Sequence, residues 1–155
     1  MTKTKIQIKV NKPLLQLGDR GNSVRELQEL LADRGVFDSE VDSVFDEETE
    51  MAVKKFQYRM FLPVDGIVGE KTWESLYKDA PVNLPLLERG SRGAAVETLQ
   101  TALQESGEYR GKIDGIFGSK TEAAVMAFQR RYNLIADGMV GENTWKALTI
   151  TRTRD

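Results

Sequence analysis

Between Tyr109 and Asn133 the chain gathers Arg110, Lys112, Lys120, Arg130 and Arg131 among Tyr109, Tyr132 and Asn133. Guanidinium and ammonium groups make charge-assisted hydrogen bonds to carboxylates, and phenol rings offer an apolar face with a polar tip. This is a chemistry of recognition, suited to an anionic ligand. Proton transfer and thiolate attack have less to draw on, because the 155 residues include no histidine and no cysteine. The commonest general base, the commonest zinc ligand and every thiol nucleophile are therefore missing, and neither a metal site nor a cofactor is expected. A glycosidase needs only a pair of carboxylates, and Glu47, Glu48 and Glu50 are closely spaced. Their place at a predicted helix start is accounted for by the helix dipole, so the expectation is that the protein is not an enzyme.

The cations surround a phrase that the chain repeats. DGIFGSKT (Asp114 to Thr121) returns as DGMVGENT from Asp137 and as DGIVGEKT from Asp65, with a worn copy, DSVFDEET, from Asp42. Asp42 to Asp65 and Asp114 to Asp137 are each 23 residues, and the two pairs lie 72 apart. The same offset relates Pro13 to Pro85, Gly21 to Gly93, Leu27 to Leu99, Gln28 to Gln100, Phe56 to Phe128, Gln57 to Gln129 and Trp73 to Trp145. Such self-similarity is the mark of an internal duplication.

Three helical patterns recur in each copy. Val24, Leu27, Leu30 and Leu31 share one face, with Ser23 and Glu26 spaced as a capping box and Gly35 as a C-terminal stop; the matching helix spans about 94–106 and stops at Gly107. Thr49, Ala52, Val53 and Phe56 mark a second helix, and Thr72, Trp73 and Leu76 a short third, each with its partner 72 residues on. The phrase itself reads as a helix-start device. Asp-Gly makes a tight turn, a buried apolar residue follows, and Gly69, Gly118 or Gly141 caps the next helix, while the threonine hydroxyl meets a free backbone donor or turns its methyl inward. In the worn copy Asp46 serves as N-cap, and Ser43 in place of glycine suggests a turn with no strict need for positive φ.

The fold expected is all-α, two tandem three-helix bundles with short extended tails. Residues 1–12 form an N-terminal arm, 13–78 the first repeat, 79–84 a proline-containing linker, 85–149 the second repeat and 150–155 a C-terminal tail. In the arm, Ile6, Ile8 and Val10 alternate with polar residues as in a half-buried strand, a candidate protein interface; threonine-rich Thr149 to Arg154 is its internal candidate partner. A net charge of −2 gives no basic field for nucleic acid. No segment has the length or apolarity for membrane insertion, and no signal peptide precedes the first repeat, which points to cytoplasmic synthesis.

VRELQELL, DGIFGSKTEAAVMAFQRRYNLIADGMVGENTWKAL and their partners resemble the peptidoglycan-binding domain 1 family, a three-helix module found in bacterial cell-wall hydrolases. The resemblance implies a non-catalytic module that binds peptidoglycan, through its stem peptide or glycan, and acts at the wall if exported or released. Its candidate ligand set is Tyr109, Arg110, Lys112, Lys120, Arg130 and Tyr132, with Asp114 and Gly115 of the adjoining turn. The alternative is a structural or adaptor subunit of a bacterial or phage-like assembly, meeting other protein subunits through the N-terminal strand. Charge separates the copies: Ser23 to Glu50 carries ten acidic and two basic residues, net −8, against five and three, net −2, from Ala95 to Glu122. An anionic ligand is expected to prefer the second repeat.

Overall fold

The structure, a computed structural model, describes residues 11–152. Ile6, Ile8 and Val10 lie outside the described residues. Among the described residues the elements are α1 (Asn22–Asp33), α2 (Glu47–Arg59), α3 (Glu70–Lys78), α4 (Ala94–Ser106), α5 (Ser119–Arg131) and α6 (Glu142–Ile150). The duplication thus gives three helices twice, and the chain is all-α. Two compact units form, one from residues 11–56 and 64–79, the other from 57–63 and 80–152.

In the first unit α1 packs on α3. Val24, Leu27 and Leu31 of α1, Ala52, Val53 and Phe56 of α2, and Trp73 and Leu76 of α3 are buried, with Phe37, Phe45 and Val68 from the connections. In the second unit α4 packs on both α5 and α6 around Val96, Leu99, Leu103, Phe117, Val125, Phe128, Val140, Trp145 and Leu148. Phe61 adds an edge-on ring to Trp145, with centroids 5.2 Å apart. Both tryptophans anchor the segment before the first helix of their unit: the Trp73 indole donates to the Pro13 carbonyl at 2.8 Å and Trp145 to Pro85 at 2.9 Å. Isolated antiparallel bridges, Leu15 with Val68 and Leu87 with Val140, fix the same segments.

Several local expectations change. The α1 N-cap is Gly21, at φ 121°, rather than Ser23, and Glu26 pairs with Lys12 at 2.8 Å instead of closing a capping box. Gly21 is needed there because its N–H reaches back to the Ser43 carbonyl, a geometry that holds φ in the region glycine favours. The fourth buried position of α1 is Gln28, with Leu30 only half-buried. Ser43 does take positive φ, 65°, as Gly115 does at 72°, so the worn turn keeps the strained backbone. Thr149 and Ile150 belong to α6 rather than to a strand, since Thr149 continues the buried face of Trp145 and Leu148 and its hydroxyl donates to the Lys146 carbonyl.

Candidate ligand-binding grooves

A buried glutamine holds three of the four phrases in place. Gln100 of α4 donates through Nε2 to Asp114 Oδ1 at 3.0 Å, the Ile116 carbonyl at 3.1 Å and Thr121 Oγ1 at 3.0 Å, while its Oε1 accepts the Gly115 N–H at 3.0 Å. Gln28 does the same for Asp42, Val44, Thr49 and Ser43. Gln129 repeats it for Asp137, Met139, Thr144 and Gly138. One amide thereby joins a helix to an Asp turn and to the first turn of the next helix. The threonine hydroxyl of the phrase is an acceptor for this amide, a role different from the backbone capping expected of it.

The aspartates feel these donors. The glutamine amide, and after it the backbone N–H two residues on, holds the carboxyls of Asp42 and Asp114 below the usual carboxylate range. For Asp137 the Met139 N–H leads and Gln129 follows, with the same direction. Hydrogen bonds to the ionised form favour it.

The clamp sets α5 beside the loop that follows α4, and a groove of about 370 Å³ opens between them. Its lining is Glu108, Tyr109, Arg110, Gly111, Lys120, Ala123 and Ala124. Tyr109 is a floor residue, 5% exposed, with its hydroxyl donating to the Lys112 carbonyl at 2.6 Å. Gly111 lies over this ring: a Cβ there would stand 2.6 Å from the hydroxyl oxygen and 2.7 Å from Cζ. Arg110 and Lys120 are exposed at the rim. Glu108, also lining the groove, is engaged by Arg131 at 2.9 Å.

The expected ligand residues divide accordingly. Tyr109, Arg110 and Lys120 come together. Lys112 contributes the carbonyl that fixes Tyr109, and its side chain is exposed. Asp114 and Gly115 are occupied by the Gln100 clamp, Gly115 with its backbone buried. Arg130 stands ten residues beyond Lys120, about 15 Å along the axis at 1.5 Å per residue, and off the groove face. Its neighbour Arg131 is the one whose phase matches Ala124, seven residues earlier, and it also lies 5.5 Å from the centre of the Tyr132 ring. Tyr132 itself packs on Phe128, with centroids 4.5 Å apart.

The first unit has the matching groove, about 380 Å³, between the loop after α1 and the start of α2. Phe37, Asp38, Ser39, Glu48, Met51 and Ala52 stand where Tyr109, Arg110, Gly111, Lys120, Ala123 and Ala124 stand in the second. The aromatic floor and the alanine are shared. The two rim charges are reversed.

The family described as "Putative peptidoglycan binding domain" matches twice, over residues 20–76 and 92–148. The chain belongs to the peptidoglycan-binding domain family. The two peptidoglycan-binding repeats are 36% identical over 161 residues to N-acetylmuramoyl-L-alanine amidase CwlM of Mycobacterium tuberculosis, an alignment covering 90% of this chain and 38% of the relative. N-acetylmuramoyl-L-alanine amidase CwlL of Bacillus licheniformis is 30% identical, over 84% of this chain and 44% of its own length. The chain therefore spans about two fifths of the length of these amidases. Among solved structures, the SleB N-terminal domain is 36% identical, covering 45% of this chain and 96% of that one, with a TM-score of 0.44.

Proposed function

We propose that this chain is a non-catalytic wall-binding module whose second unit takes a carboxylate of the peptidoglycan stem peptide. The observation that carries this reading is the pairing of Arg110 and Lys120 across a groove floored by Tyr109 and Ala124. Two cations on one rim offer a carboxylate several charge-assisted donors, and the floor receives the adjoining aliphatic backbone. The groove is open, as a polymer-binding site requires. Similarity to wall amidases over this part of their length supports the same reading.

Sedimentation with purified sacculi tests it. Arg110→Glu with Lys120→Glu is expected to lower sacculus affinity about tenfold or more, a difference of about 1.4 kcal/mol or above. Lys71→Glu with Lys146→Glu changes the net charge equally at exposed positions outside the groove and is expected to leave binding nearly intact. Equal losses from both pairs would reduce the interaction to bulk charge and overturn the assignment.

A further inference from the structure

The rim of the first unit's groove invites the question of why its charges are reversed. Asp38 replaces Arg110, and Glu48 replaces Lys120, while Phe37 and Ala52 keep the floor and the volumes differ little. The helix dipole favours an acid at position 48 but does not require one. The matched helix start at α5 forms with Lys120 in that place. Nor does the dipole explain Asp38, which lies on the loop, off the helix altogether. Ser39 donates to Glu48 and ties the loop to α2, drawing the rim together above the floor. Met51, 57% exposed, extends the apolar lining toward solvent.

We propose that this groove binds an aliphatic primary ammonium group carried on a side chain of the stem peptide. Asp38 and Glu48 accept its N–H bonds, and Phe37, Met51 and Ala52 receive the methylene stem, as long cationic side chains lay their carbons on apolar surface. Glu47 and Lys55 also line the groove; Lys55 offsets one of the three acidic charges, and the lining stays net acidic and unfavourable to a carboxylate ligand. The two units then read opposite charges with one architecture. This inference rests on the wall-binding reading above and adds the chemistry of a second ligand group.

The test uses the full chain, 15N-labelled, and a synthetic L-Ala-γ-D-Glu-L-Lys tripeptide with a free side-chain amine. Titration is expected to shift the amide signals of Asp38, Ser39, Glu48 and Met51, and Nε-acetylation of the peptide is expected to weaken that binding about tenfold or more, since it removes the charge from the hydrogen bonds. Asp38→Lys with Glu48→Lys is expected to abolish the shifts, with unit 1 shown folded by its remaining amide dispersion. Asp38→Asn with Glu48→Gln, the milder pair, is expected to weaken binding without abolishing it. Shifts unchanged by acetylation, equal shifts with magnesium chloride alone, or no shifts at all in this groove would overturn the proposal. Sacculus binding that survives such a result leaves the carboxylate site standing, whereas loss of sacculus binding by the parent chain removes the premise itself.

Discussion

Replacing Gln100 with glutamate alters one atom and should break the second unit. Nε2 makes three donations at 3.0–3.1 Å, to Asp114 Oδ1, the Ile116 carbonyl and Thr121 Oγ1. A carboxylate oxygen in its place has no proton to give; the two amide protons are shared among these acceptors, so at about 1 kcal/mol per hydrogen bond the direct loss is about 2 kcal/mol. Two further effects add to it. Gln100 is fully buried, so the new charge is desolvated, and it stands against the ionised Asp114, whose Oδ1 lies 3.0 Å from the atom replaced. Stability for a domain of this size is about 4–12 kcal/mol at the usual 0.05–0.15 kcal/mol per residue. Gln100→Glu should therefore remove most of it at neutral pH. Urea unfolding can be followed unit by unit, because Trp73 reports on the first and Trp145 on the second, each buried. In a Trp73→Phe background the Trp145 emission of the variant is expected to be red-shifted at low urea. Gln104→Glu, exposed on the same helix, is the control and should leave the transition in place. A Gln100→Glu midpoint matching the control would refute the clamp as the device that holds the phrase.

Gly111→Ser should destabilise the second unit by about 1–3 kcal/mol through overpacking against Tyr109, and Tyr109→Phe should recover part of that, since Phe37 and Ser39 already stand together in the first unit; a double-mutant cycle in urea with no coupling would refute the fit. Phe128→Ala should cost about 3–5 kcal/mol by cavity formation, seen as loss of the Trp145 transition, and a parent-like midpoint would contradict its place in the core. Acid should weaken both units. Asp42, Asp114 and Asp137 have folded carboxyls held below their unfolded values, so their contribution is complete above pH of about 4 and is lost as pH falls through the depressed folded values. Asp114→Asn keeps an acceptor at Oδ1 without the charge and should flatten its share of the urea midpoint's fall between pH 5 and about 2.

Helix placement was legible because the core positions are apolar at helical spacing and because the same pattern occurs twice, 72 residues apart. The expected helix at about 94–106 is α4, Ala94–Ser106, and Gly107 stops it in the left-handed region at φ 93°. The clamps were present in the sequence in a form that periodicity alone passes over. Gln28, Gln100 and Gln129 sit four residues after a buried valine, inside the apolar stripe, where a polar residue needs partners it cannot find on its own helix. The Asp turns that supply them come 14, 14 and 8 residues later. A polar residue in the stripe, with the same downstream Asp, was the available signal. The groove was less accessible, because it depends on which loop packs beside α5. Choosing between Arg130 and Arg131 depends on helical phase relative to that loop, and charge counting carries no phase.

The division of labour around each groove has a consequence for how such a protein changes over time. Gln28, Gln100 and their turns are internal joints, so substitution there threatens folding, whereas residues 38, 48, 110 and 120 project from the joints and take no part in them. A duplicated copy is then free to drift at its rim without losing its frame. The same separation makes the chain a scaffold for directed evolution: a library varied at the rim positions of either unit samples ligand chemistry while the four-way amide joint keeps the backbone beneath it unchanged.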